Sequence, residues 1–122
     1  MREAKPGEEY LSFSVGEEHG DPDIAEFYSK LTVRRQQARL KIRVLIAQQA
    51  KETHVHAYSR EVLKAIHGRY TPFYFPQGIV IFHGKVIILD WGGKTTAVVI
   101  TSRRLYSEFR KFFYEIYSKA KE

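Results

Sequence analysis

The 122-residue chain has no cysteine, which rules out disulfides, zinc–thiolate centres and thiol nucleophiles together. No apolar run approaches the roughly 20 residues that a bilayer-spanning helix needs. The opening stretch MREAKPGEEY lacks the apolar core of a secretory leader. These absences point to a cytoplasmic protein. Acids are missing from residues 30–51, where Lys30, Arg34, Arg35, Arg39, Lys41, Arg43 and Lys51 stand. Residues 1–26 are the reverse, with eight acids against Arg2 and Lys5. Methionine is scarce as well, with one residue, and dense Lys, Arg and Glu usage beside it fits a thermophile.

What is present argues for a folded domain. The hydrophobic fraction is 43%, with eight tyrosines, eight phenylalanines and one tryptophan, too apolar for a disordered chain. One domain over residues 8–122 is expected, with residues 1–7 as a loosely held N-terminus. The net charge of +6, concentrated in one basic run, marks either a nucleic-acid or anion surface or a solvated helix face meeting an acidic neighbour.

Periodicity orders the elements. Residues 8–15 alternate, with Leu11, Phe13 and Val15 on one side of a strand. Asp21 or Asp23 caps a helix with Ile24, Phe27, Tyr28 and Leu31 on one stripe, continuing to about Ala38. Residues 40–47 turn wholly apolar, as a buried strand does. Residues 48–56 carry little pattern, and His54 and His56 are read on one face of an extended segment, without a third metal ligand near them. A short helix follows Tyr58-Ser59 and stops at Gly68, and residues 69–75 are extended, with Pro72 confining them to an edge. Three strands come next: residues 78–82, 85–91 and 95–101. The first two meet at His83-Gly84, the last two at Gly92-Gly93-Lys94. Ser102 caps a final helix with Leu105, Phe109, Phe112, Phe113, Ile116 and Tyr117 on one face. The order β-α-β-α-β-β-β-β-α predicts an α/β (α+β) fold with a mixed sheet flanked by helices, parallel at its start and antiparallel in its closing meander.

The chemistry-bearing residues are few. His83, Lys85 and Asp90 fall at H-x-K-x-x-x-x-D spacing. On a strand His83 and Lys85 share a face, and Asp90 joins them only through a bend. This spacing resembles the HKD signature of the phospholipase D superfamily, and the element order resembles one half of that fold. The resemblance implies that His83 attacks phosphorus, Lys85 holds phosphate oxygens and Asp90 orients an imidazole. A homodimer would then bring two copies of His83 together. Arg34, Arg35, Arg43 and Trp91 are the candidates for binding a ligand or phosphate. No metal and no cofactor is expected.

The chain is also similar to the C-terminal effector domains of archaeal TrmB-type transcription regulators, which are phospholipase D-like. The matching pieces are Glu26-Phe27-Tyr28, residues 41–45 (KIRVL), residues 80–87, residues 97–100 and residues 105–114 (LYSEFRKFFY). Two features depart from these patterns, the first from catalytic members and the second from the regulators. After Asp90 the chain runs Trp91-Gly92-Gly93-Lys94-Thr95-Thr96-Ala97 in place of a Gly-Ser step followed by asparagine, and no helix-turn-helix precedes Glu8. The expectation is therefore a non-catalytic effector module that dimerises and senses a small-molecule or phosphate-bearing ligand, with any DNA reader on a partner protein. A homodimeric HKD phosphodiesterase is the alternative, and a basic nucleic-acid-binding domain the third.

Overall fold

The computed structural model describes residues 6–14, 22–73, 78–90 and 96–121. Residues 1–5 of the expected loose N-terminus, the Gly92-Gly93-Lys94 turn and Trp91 lie outside them, as do Tyr74 and Phe75. Six strands form one mixed sheet: β1 (Glu9–Ser14), β2 (Lys41–Ala47), β3 (Gly68–Thr71), β4 (Ile79–Phe82), β5 (Lys85–Asp90) and β6 (Thr96–Thr101). Four helices flank it: α1 (Pro22–Gln37), α2 (Lys51–Ala57), α3 (Arg60–Ile66) and α4 (Arg103–Tyr117). Spatially the strands run β3-β2-β1-β4-β5-β6. The first three are mutually parallel and the remaining pairings antiparallel, as the expected mixed architecture requires.

Strand alternation divides the core into two layers. Leu11, Phe13, Leu45, Ile79, Ile81 and Val86 face α4 and bury Phe113 and Tyr117. Tyr10, Ile42, Val44, Ile46 and Val80 face the other way, against Ile66 of α3 and Val62 beside it. Both faces of β2 are thus covered, which explains its unbroken apolar run.

Two caps follow the sequence, whereas Asp23 stands inside the first turn of α1 and Asp21 lies outside the described residues. Ser102 Oγ accepts from the Leu105 amide at 3.2 Å, and Ser59 Oγ from the Val62 amide at 3.2 Å. α1 ends at Gln37, where Arg39 swings to a φ of 60°.

Two expectations need correction. Residues 51–57 are helical rather than patternless, and the buried contact of that turn is an imidazole, His54, at 2% exposure. Hydrophobic periodicity cannot see such a helix. Because helical neighbours two apart diverge by about 200°, His54 points inward while His56 is exposed, so the two do not share a face. Gly68 is the other correction. His67, at φ 49°, ends α3, whereas Gly68 opens β3. A Cβ at Gly68 would meet Ile46 Cδ1 at 3.0 Å, so glycine serves close packing there.

Candidate functional site

The strand registers gather polar side chains at one end of the sheet. β1 and β2 begin together, with Glu9 beside Lys41, while Tyr10 opposes Phe82 at the end of β4 and Lys85 opens β5. Glu9 keeps phase with Leu11 and Phe13, and Arg43 with Leu45, so both charges face α4. There Arg110 Nε donates to Glu9 Oε1 at 2.7 Å, and the Tyr114 hydroxyl donates to Glu9 Oε2. Arg43 Nη1 donates to the Tyr114 oxygen at 3.2 Å and lies 3.6 Å from Glu9. Burial alone would raise the Glu9 carboxyl, but hydrogen bonds from Arg110 and Tyr114 and the charges of Arg110 and Arg43 outweigh it, so it sits below its ordinary value. Sequence reasoning missed this cluster. Its signal was an acid and a base in the apolar phase of two strands.

Burial, then the hydrogen bond to Glu9, push the Tyr114 phenol from 10.0 up to about 12. The folded state therefore keeps a proton between pH 10 and 12 that the unfolded chain releases. The stability linked to it is complete below 10 and is lost as pH rises through that window. Burial also raises Tyr10, Tyr70 and Tyr106, which steepens the same slope. In urea titrations above pH 10, Tyr114→Phe is expected to flatten the alkaline loss without abolishing it. An unchanged slope would remove Tyr114 from the account.

His83 and Gly84 form the β4–β5 turn, with φ of 51° and 73°. Alternation along a strand therefore does not relate His83 to Lys85. The His83 Nδ1–H donates to the Glu8 carboxylate at 3.0 and 3.1 Å, because a carboxylate can only accept. Asp90 closes the other end of β5, beside Thr96. It lies five positions beyond Lys85, about 17 Å along an extended strand. The structure thus brings His83 and Lys85 to one turn and leaves the Asp90 backbone at the opposite end of the sheet; the Asp90 side chain is outside the described residues.

The basic run is dispersed rather than gathered. Arg34, Arg39 and Lys41 are exposed, whereas Arg35 is buried with its guanidinium carbon 3.7 Å from the Tyr10 ring centroid. Arg43 emerges on the opposite face of the sheet. Between the sheet and the layer of α1, α2 and α3 lies a cavity of about 50 Å³ bordered by Tyr10, Thr32, Arg35, His54 and Tyr58. That is room for one or two waters. Among the described residues, no group of three or more His, Cys, Asp or Glu is placed to hold a metal ion.

A larger cleft, about 430 Å³, opens beside the start of β3 and is lined by Arg43, Leu63, Lys64, His67, Gly68, Arg69 and Tyr117. Val44 pairs with Gly68 and Leu45 with Arg69, which brings Arg43 next to His67 and points Arg69 to the α4 side. Arg69 Nη1 donates to the Tyr117 carbonyl at 2.8 Å, with its guanidinium carbon 4.4 Å from that ring's centroid. The Tyr117 hydroxyl donates to the His67 carbonyl at 2.6 Å, and His67 Nδ1–H to the Ile42 carbonyl at 3.1 Å. Of these residues only Arg43 figured among the sequence candidates.

The fold and its polar sheet end define an α+β domain with an open six-stranded sheet and four helices. No family model matches the sequence, and no curated protein matches it. Among solved structures the fold is similar to that of TrmBL2, an archaeal chromatin protein whose structure shows a novel mode of DNA binding, with a TM-score of 0.67 and 17% identity. The similarity covers 98% of this chain and 45% of that one, so the present chain spans less than half the length of TrmBL2. At this identity the likeness is one of fold. No described helix is long and apolar enough to cross a membrane.

Proposed function

We propose that this chain is a non-catalytic, phospholipase D-like effector domain of the archaeal transcription-regulator type, one that forms a homodimer and senses a ligand. The observation that carries the reading is the likeness to TrmBL2 over 98% of the chain. DNA contact then falls to a partner protein or to a reader outside this domain. The separation of Asp90 from His83 and Lys85 along β5 supports a site without turnover.

The two edges of the sheet support self-association. At β3 the edge is closed: Tyr70 and Lys121 exchange backbone hydrogen bonds at 2.6 and 3.1 Å. At β6 no described residue pairs with the outer edge, and Val98 and Val99 are 50% and 56% exposed on its two faces. An unprotected apolar edge strand is a template for pairing, and antiparallel pairing of two identical strands satisfies a two-fold axis. A second copy of β6 completes the sheet.

Light scattering is expected to give a mass near twice 14.3 kDa, and Val99→Lys, which charges that edge, is expected to return it to one. A monodisperse monomer at micromolar concentration would refute the dimer. A homodimeric phosphodiesterase is the second reading, favoured by the imidazole that Glu8 orients at 3.0 Å beside Lys85. Bis-p-nitrophenyl phosphate separates the two: the effector reading expects no turnover, and turnover lost in His83→Ala hands the function to the second.

A further inference from the structure

The geometry points to the cleft of Arg43, Lys64, His67 and Arg69 as a binding site for a small phosphate-bearing molecule. The inference rests on the ligand-sensing reading above and supplies its ligand class. Three side chains there are fixed cations, and among the described residues no carboxylate lines the cleft. Among the described residues neither Lys64 nor Arg69 is paired with an acid. Glu9, the acid 3.6 Å from Arg43, is already held by Arg110 at 2.7 Å. Like charges crowded around one concavity repel, and an anion between them removes the repulsion.

The donors are also held in place before anything binds. Arg69 is fixed by its stacking on Tyr117 and its single bond to the Tyr117 carbonyl, which leaves further N–H groups of a rigid fork for oxyanions. His67 is pinned at three atoms: its amide reaches the Lys64 carbonyl at 3.4 Å, its carbonyl accepts from Tyr117 and its Nδ1–H is spent on Ile42. A non-glycine residue at φ 49° is held against its conformational preference. Lys64, exposed on the last turn of α3, closes the ring of cations.

Charge and volume select the ligand. A phosphate monoester carries nearly two negative charges and three acceptor oxygens, which three cations match better than they match a single carboxylate. A volume of about 430 Å³ suits a small metabolite; a duplex requires a far longer surface.

Calorimetric titration of the intact chain with ribose 5-phosphate, inorganic phosphate, ribose and a short DNA duplex tests the assignment. Ribose 5-phosphate is expected to bind and ribose not to. Binding of inorganic phosphate alone would reduce the site to a general anion site and overturn the assignment to a phosphorylated metabolite. Lys64→Gln, an exposed change that leaves the fold intact, is expected to weaken binding about tenfold, as loss of one charge-assisted contact does. Arg69→Lys keeps the charge but not the fork and is expected to weaken it similarly. Lys30→Gln, on α1 and exposed beside Glu26, is expected to change nothing. Absence of ribose 5-phosphate binding up to about 10 mM, equal weakening by Lys30→Gln, or binding of the duplex alone would each sink the proposal. None of these outcomes bears on the dimer mass or on turnover, so the effector reading stands or falls separately.

Discussion

Replacing Phe113 with alanine is expected to lower the unfolding free energy by about 4 kcal/mol, a large part of the 5–15 kcal/mol typical of a domain. Phe113 is fully buried. Its ring meets Phe13 edge-on at 5.2 Å, Tyr114 edge-on at 5.4 Å and Tyr117 in a stack at 5.3 Å. Removing it empties the seam between α4 and the sheet, and β1 cannot move in to fill the space without breaking its register with β2 and β4. Phe112, one residue earlier, is 42% exposed and touches the same Phe13 at 5.5 Å, so Phe112→Ala is expected to cost only about 1 kcal/mol. Urea denaturation reads both. The midpoint should fall far more for Phe113 while the slope against denaturant holds. Equal losses would mean that α4 is docked in a different rotation.

Much of this packing was legible in the amino-acid order. Leu11 and Phe13 alternate with polar neighbours in β1, and once the apolar runs of β2 and β4 are read as strands, their two faces follow from a period of two. The stripe of α4 was legible too, although neighbouring Phe112 and Phe113 gave no sign of which lies inward. What stayed hidden was non-local. Glu9 and Arg43 look like surface charges until β1 and β2 are known to be parallel and adjacent. Lys64, His67 and Arg69 become one cleft only because β3 pairs with β2 and α4 ends over both. The HKD-like spacing misleads for the opposite reason: it is compact in sequence, but a hairpin turn takes His83 off the strand and five extended residues carry Asp90 away. Local pattern reports faces, and sites are made by pairings.

Gly78→Ala is the sharpest test of those pairings. Gly78 sits at φ +75°, and a Cβ built on it would lie 2.2 Å from the Leu89 carbonyl oxygen. The neighbour is backbone, so no side-chain rotation relieves the contact. Gly78 also ties three strands together: its amide donates to the Phe13 carbonyl at 3.2 Å, and its carbonyl accepts from the Leu89 amide at 2.7 Å. Alanine must push β5 away from β4 or pull β4 from β1, and either motion opens the border of the inner cavity that Gly78 helps to line. The expected loss is about 3 kcal/mol or more, a drop in melting temperature on the order of 10 °C for a domain this size. Gly84 supplies the control, with a similar φ of +73° but open space around its would-be Cβ. Gly84→Ala carries only the left-handed backbone term, about 1–2 kcal/mol, and Gly84→Asn less. If the two alanine variants melt together, the close approach of β5 to Gly78 is wrong. With it would go the register that sets His83 and Lys85 at one end of the sheet and Asp90 at the other.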